Sequence, residues 1–228
     1  ELFSAVINLS HAEAPLALDL LSGEVHASIG TALTEDSRFP REAVLDRLAD
    51  AEDERRGAWG RAFGAWGDWQ GDGNTARFER SIGGFFAGGD VAAGETMRFG
   101  VFTGYSHTSF DLAARYSSGS ANTWHLGVYG GGRWGRVALR AGGAYAWHAV
   151  ETSRSVAFTG FDDSLASSHD AATAQIFGEL AYRVEHGGTN FEPFAGIAYV
   201  RLDGEARTET GGAAALAVDG RDAKQTFS

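Results

Sequence analysis

The chain has 228 residues, 43% hydrophobic and 21% charged, with a formal net charge of -11. That balance excludes a disordered chain, and the acidity excludes nucleic acid as a partner, because phosphate recognition needs a basic face. Thirty-two glycines beside only three prolines exclude collagen-like and Pro-rich architectures, and the lack of cysteine removes disulfide frameworks, thiolate metal sites and thiol nucleophiles.

The first residues, Glu1-Leu2-Phe3-Ser4, have neither the basic start nor the apolar core of a signal peptide. A leader has been removed, or the chain begins inside a longer protein. From Pro15, Leu18, Leu21, Val25, Ile29, Ala32 and Leu33 recur at spacings of three and four, which predicts a helix with one apolar face. Asp36-Ser37-Arg38-Phe39-Pro40 interrupts it. Pro40 fits only the first turn of a second helix, which carries Val44, Leu45 and Leu48 and ends in Glu52-Asp53-Glu54-Arg55-Arg56.

From Gly57 the period falls to two, which predicts strands. Val137, Leu139, Ala141, Gly143, Tyr145 and Trp147 make one greasy face, against Ala138, Arg140, Gly142, Ala144, Ala146 and His148. The segments 97–106 and 175–185 split the same way. In Trp59 to Trp66 and Phe194 to Val200 both parities hold large residues, and no face can be assigned. The links between strands fall near 71–76, 90–96, 107–121, 133–136, 153–173, 186–190 and 203–224. After the first they alternate short and long, so short turns such as Trp134-Gly135 and Gly187-Gly188 collect at one end of an antiparallel sheet and long loops at the other. No apolar run reaches the roughly 18 residues of a membrane-crossing helix, but strands that face lipid and lumen alternately escape that test. A greasy face opposite one carrying Arg and Glu among glycines predicts a transmembrane barrel with a wet lumen.

These residues resemble the translocator β-domain of bacterial autotransporters, the type V secretion proteins. The likeness begins at Ala17. It runs through Leu18-Asp19-Leu20-Leu21, Glu35-Asp36-Ser37-Arg38-Phe39 and Ala43-Val44-Leu45-Asp46-Arg47-Leu48 into Trp59-Gly60-Arg61-Ala62-Phe63-Gly64, Gly71-Asp72-Gly73-Asn74, Arg98-Phe99-Gly100, Gly104-Tyr105-Ser106 and Glu192-Pro193-Phe194-Ala195-Gly196. Each motif is short; their order and spacing carry the resemblance. It implies an all-β, antiparallel transmembrane barrel of twelve strands with an N-terminal α-helix in the lumen. Residues 57–228 accommodate about eight strands, so the barrel domain is expected to be incomplete here. Residues 1–14 are then the end of a passenger or its linker, and 15–56 the helical linker and pore helix. The implied partners are outer-membrane lipid, the barrel-assembly machinery and the chain's own passenger, in a monomer of the bacterial outer membrane with loops outside and turns in the periplasm.

The residues expected to join helix and wall are Arg98, Arg136, Arg140, Arg183 and Glu179 on the inner face, with Asp46 and Asp50 of the acidic helix supplying countercharge to the arginines. Val137, Leu139, Tyr145, Trp147, Leu180 and Tyr182 are expected to face lipid. Other constellations point to no chemistry. Gly130, Gly132 and Gly135 satisfy a dinucleotide fingerprint in spacing, but a strand follows where a helix is needed. Asp162-Asp163-Ser164-Leu165 is similar to a lipase-type nucleophile block without its glycine, and although His169 is nearby, no partner histidine stands at a supportive spacing. The seven histidines form no ligand pair of helical spacing. There is no Asn-Asn pair for lumenal self-cleavage. We expect no enzyme, no cofactor and no metal. The competing readings are a soluble or surface-bound β-sandwich adhesion module, whose greasy faces would pack on each other, and a surface esterase built on Ser164.

Overall fold

The computed structural model describes residues 2–50, 56–69, 77–186 and 189–228. The Gly71-Asp72-Gly73-Asn74 motif, the Glu52-Asp53-Glu54 acids and the Gly187-Gly188 turn lie outside the described residues. Four helices come first: α1 (Leu2–Ile7), α2 (Ala14–Leu21), α3 (Glu24–Asp36) and α4 (Arg38–Asp50). The single helix expected from Pro15 to Leu33 is two, because Gly23 adopts φ +66°, a left-handed backbone that ends α2. Pro40 stands in the first turn of α4, where its missing N–H costs nothing.

The strands are β1 (Arg56–Trp69), β2 (Phe78–Ala93), β3 (Met97–Leu112), β4 (Ser117–Trp134), β5 (Val137–Phe158), β6 (Phe161–Tyr182), β7 (Val184–His186), β8 (Thr189–Phe191), β9 (Phe194–Gly204), β10 (Arg207–Thr208), β11 (Ala217–Val218) and β12 (Arg221–Phe227). Eight of them form one sheet in the order β1-β2-β3-β4-β5-β6-β9-β12, antiparallel throughout, while β7–β8 and β10–β11 are small hairpins. β1 and β12 are the two edges, so the wall is open among the described residues.

Two links differ from expectation. The loops placed at 107–121 and 153–173 are mostly strand: β3 and β4 are joined by a single 3-10 turn, Ala113–Arg115, and β5 and β6 form a hairpin of 22 residues on each side. The turn is Thr159-Gly160, with Gly160 at φ +81°. The reason is the change of solvent along the strand. From Val137 to Trp147 the outward residues of β5 are Val, Leu, Ala, Gly, Tyr and Trp; at about 3.3 Å per residue and a tilt of about 40°, that stretch stands about 25 Å tall, the height of a barrel's apolar band. Beyond it the outward residues are Ala149, Glu151, Ser153 and Ser155 on β5 and Asp162, Ser164, Ser168 and Asp170 on β6. A strand with water outside needs no greasy face, so its sequence looks like a loop.

Every residue expected to face lipid is exposed: Val137, Leu139, Tyr145, Trp147, Leu180 and Tyr182. Cross-strand rows of aromatics mark the two rims of the band, Phe85-Tyr105-Trp124-Trp147 toward the loops and Trp134-Val137-Tyr182 toward the turns. Such girdles suit the amphipathic rings of Trp and Tyr.

The inner face is packed where a wet lumen was expected. The helices line it in sequence from the loop end to the turn end. Leu20 of α2 packs on Val156, Leu165 and Ala214; Val25, Ile29, Ala32 and Leu33 of α3 on Phe78, Phe110, Leu112, Val150 and Leu202; Phe39, Ala43 and Val44 of α4 on Ile82, Phe86, Phe102, Tyr129 and Phe177. Large and small inner residues alternate across the strands. One row runs Trp59-Gly88-Phe102-Gly127-Ala144, another Gly100-Tyr129-Gly142-Phe177-Ala198-Phe227. Each ring lies over the neighbouring glycine: a Cβ at Gly142 would stand 2.6 Å from the Phe177 ring, and one at Gly127 would run into Phe102.

Gly142→Val should therefore destabilise the fold by about 1–3 kcal/mol through overpacking, whereas Gly178→Ala, whose Cβ meets nothing nearer than 3.6 Å, should be close to neutral. Urea unfolding of the two variants of the full-length protein in detergent, followed by the gel shift of the folded form, checks the difference; equal midpoints would contradict the packing.

Candidate functional site

The site is the contact between the lumenal helices and the wall, and it is built in three polar layers set among the apolar clusters. At the turn end, Asp90 of β2 has no exposed side-chain surface. It accepts hydrogen bonds from Arg47 of α4 (2.8 and 3.1 Å), from the Tyr129 hydroxyl (2.8 Å) and from Arg98. Trp59 Nε1 in turn donates to the Tyr129 hydroxyl at 2.6 Å. Beside this centre, Arg140 of β5 donates to Glu179 of β6 and to Glu192, both at 2.5 Å, and Glu192 also accepts from Arg133 and pairs with Arg183 at 3.4 Å.

The middle layer holds the joint between α3 and α4. Asp36 pairs with Arg80 of β2 at 2.9 Å and accepts from the Thr108 hydroxyl at 3.2 Å. Gln175 Nε2 donates to the Ser37 carbonyl at 2.8 Å, and Arg41 donates to the Gln175 oxygen at 3.1 Å. One wall side chain thus satisfies a helix carbonyl at the joint and ties down the next helical turn. His148 bridges Thr123 and Thr173 at 2.9 and 2.8 Å, so wall hydroxyls satisfy both of its ring nitrogens, whereas His125 bonds Ser106 at 3.0 Å through Nε2 and keeps Nδ1 buried without a hydrogen-bond partner.

The third layer lies above the apolar band, at the loop end. Arg154 and Glu209 each have only 2% of their side chain exposed. Arg154 donates to both Glu209 oxygens (2.5 and 3.1 Å), to the Leu20 carbonyl at the end of α2 (2.7 Å) and to the Ala214 carbonyl (3.1 Å). Glu209 also accepts from the Leu216 N–H at 3.0 Å and bonds His26 Nε2 at 2.8 Å, while Arg207 donates to His26 Nδ1 at 3.3 Å. That arrangement calls for neutral His26 with its proton on Nε2. The segment 205–220 is thereby strapped over the α2–α3 joint, with Leu216 seated against Gly23, where no Cβ would fit.

The expected site residues separate. Arg98 and Arg140 are buried on the inner face, but their partners are wall carboxylates, Asp90 for the first and Glu179 and Glu192 for the second. Arg183 is half-buried beside Glu192. Arg136 is exposed in the β4–β5 turn, so the strand parity that placed it inside fails where the strand has already ended. Asp46 pairs with Arg61 of β1, a strand whose face was unassigned, and Asp50 is exposed at the last residue of α4. The polarity is mixed: helix acids Asp46 and Asp36 meet wall arginines, Arg61 and Arg80, while at the Asp90 centre the helix gives a guanidinium, Arg47, to a wall carboxylate. Asp90 was missed because it sat at the edge of an expected turn, although it shares parity with buried Ile82 and Phe86. Arg154 and Glu209 were missed because both lay in expected loops. Ser164 and His169 have opposite parity on β6 and point to opposite faces, so they form no catalytic pair.

An antiparallel wall with an apolar outer band, aromatic rims and helices packed inside defines an outer-membrane barrel of the translocating kind. The chain belongs to the family described as the Autotransporter beta-domain, which residues 58–228 match. Two proteins of Serratia marcescens, each named extracellular serine protease, are 37% identical over 217 residues; the match covers 91% of this chain and 21% of theirs, so the chain spans about a fifth of their length. The translocator domain of the autotransporter NalP from Neisseria meningitidis has the same fold, with a TM-score of 0.73 at 17% identity, covering 88% of this chain and 68% of that one. The β-sandwich and esterase alternatives are set aside: this is an outer-membrane translocator β-domain.

Two outcomes test the layers. Asp90→Asn leaves two guanidiniums around a neutral group and should cost about 3–5 kcal/mol, while Arg47→Met combined with Asp90→Asn should cost less than the sum of the single changes; additive costs in urea unfolding would show that helix and wall are not coupled there. The strap should loosen in acid. Burial holds His26 below its ordinary value, against the pull of Glu209. Burial also opposes the Glu209 carboxylate, but the bonds from Arg154, the Leu216 N–H and His26 outweigh it, and its pKa is lowered. An unfolded histidine takes up its proton near pH 6.5, so the contribution of His26 is present above that pH and lost as pH falls toward its folded value; that of Glu209 follows on acidification below about 4.3. Amide exchange of residues 205–218, corrected for intrinsic rates, should rise from pH 7 to 5, and His26→Gln should abolish that part of the rise. A pH-independent protection would contradict the coupling.

Proposed function

We propose that this chain is the part of an autotransporter that lets an N-terminal passenger reach the cell surface and is then sealed by its own helices. In this reading residues 1–14 are the end of the passenger or its linker, 15–56 the linker and pore helix, and 57–228 barrel wall, with the turns in the periplasm and the loops outside. The geometry that supports it most is the place of α4, held inside the wall by the Arg47–Asp90 bonds and continuing to β1 at the turn end. A tethered helix of this kind occupies the lumen at high effective concentration, so the plugged state needs no partner. The barrel-assembly machinery is the proposed insertion partner, the wall acts as a monomer, and catalysis belongs to the passenger. The relatives named extracellular serine proteases support a passenger of that class.

The test is conductance. Planar-bilayer recordings of the full-length protein should show small currents, and deletion of residues 38–50 should raise them severalfold, since an α-helix about 10 Å wide leaves the lumen. Unchanged current would overturn the plug.

A further inference from the structure

The outward face of the wall carries a feature that translocation does not use. Near the turn end its side chains shrink. The rings of Phe99 and Trp134 lie flat over Gly130 and Gly132, at 2.7 and 2.8 Å from where their Cβ atoms would stand, and the floor continues over Ala141 and Gly143. A Cβ at Gly143 would meet nothing nearer than 3.4 Å. Leu139 and Ile176 rise on the far side, and together these residues enclose a groove of about 680 Å³ with an apolar lining. It runs from the Trp134 rim toward the middle of the apolar band.

Glycines within a strand weaken it, because they pack nothing and lose more backbone entropy on folding. Inside the lumen the large-small alternation accounts for that cost; outside, the same residue type leaves a trough that only another molecule can fill. Two residues past Trp134, in the turn that follows it, is Arg136, exposed and with no ion-pair partner among the described residues. The Arg183 N–H donates to the Arg136 carbonyl at 2.7 Å, which fixes the turn that presents it. The nearest turn carries Glu95, also exposed. An apolar trough followed by a cation in the adjoining turn is complementary to one kind of molecule, a lipid with an anionic headgroup atom and an extended tail.

We propose that this groove is a specific phospholipid site, in which an acyl chain lies along Gly132, Ala141 and Gly143 and the phosphate meets Arg136. The inference rests on the translocator reading for the orientation of the wall, which puts the rim in the periplasmic leaflet. The shared recognition element is the phosphodiester; ethanolamine and glycerol headgroups are its two sources.

The test uses the full-length protein extracted from outer membranes into detergent, with phosphatidylethanolamine, phosphatidylglycerol or diacylglycerol added, and counts bound lipids by native mass spectrometry. Wild type should retain one phospholipid. Gly143→Leu and Ala141→Leu, which fill the floor, should bind it about tenfold more weakly, because the side chain displaces about two methylenes of the lipid. Ala62→Leu, which adds the same bulk on the outward face of β1, should bind as wild type. Arg136→Gln should weaken both phospholipids and leave diacylglycerol unchanged, and a preference between the two phospholipids identifies the headgroup. Equal retention by wild type and both filling variants, or a bound mass corresponding to a polypeptide or a second copy, would overturn the proposal. Bilayer insertion of the same preparations separates the two failures: loss of insertion by wild type defeats the translocator reading, whereas normal insertion with no difference among the variants defeats the groove alone.

Discussion

The structure depends on a constraint of width. A wall curled round a helix must bring bulky inner side chains of adjacent strands to opposite positions, about 5 Å apart, and two large rings cannot share that space with a helix. The alternation of Trp59, Phe102, Tyr129 and Phe177 with Gly88, Gly127, Gly100 and Gly142 resolves the conflict. Each ring lies over a glycine and belongs to the cluster that holds Phe39, Ala43 and Val44 of α4. The stacked rings of Phe39, Phe63 and Phe86, with centroids 4.7 and 4.9 Å apart, then carry the helix onto the wall. The abundance of glycine is thus a consequence of what the lumen holds, and the helix could not be replaced by water without stranding several fully buried aromatic side chains, each worth about 1.5–3 kcal/mol of burial.

Charge follows from the same confinement. A guanidinium in a packed lumen must find its carboxylate within reach, and the wall supplies most of both signs. Arg98 with Asp90, Arg140 with Glu179 and Arg80 with Asp36 are each satisfied at one level. The helix enters these networks by single residues, Arg47 in one and Asp36 in another. Buried pairs of this kind add little net stability over apolar packing, but a misplaced one is costly. They therefore fix the depth and rotation of the helix more than they hold it, while the apolar contacts of Val44, Phe39 and Ile29 supply the adhesion.

Strand parity was legible in the sequence wherever water and lipid, or lipid and core, differ across the wall. The faces of β3, β5 and β6 follow from alternation alone, and the count of about eight strands from length. The first strand was opaque because Trp59 and Phe63 face the core while Trp66 faces outward, so hydrophobicity carries no sign there. The hairpin of β5 and β6 was hidden for the opposite reason: above the band the outward face meets water, and Glu151, Ser153, Asp162 and Ser164 stand there in place of Val and Leu, although the inward Val156 and Leu165 stay buried. The site was less legible than the fold. Pairing the acidic helix with the inward arginines treated each element as a block of charge, whereas the partners are chosen by height along the wall, which the sequence of one element does not encode. Arg154 and Glu209 lie 55 residues apart and meet only because β6 and β9 intervene in register.

The loop-end strap completes the logic of the plug. A helix held only by its lower half could slide, because apolar contacts have no direction. Gly23 breaks the helical column at the level where Arg154 takes the Leu20 carbonyl of α2, and Leu216 closes over the break. The strap and the Asp90 centre thus clamp the helices at opposite ends. Each uses a carboxylate that water cannot reach. The two acids are met from both sides, Asp90 by Arg98 and Tyr129 of the wall and by Arg47 of α4, Glu209 by Arg154 of the wall and by His26 of α3, so the helices complete two carboxylate networks that the wall begins.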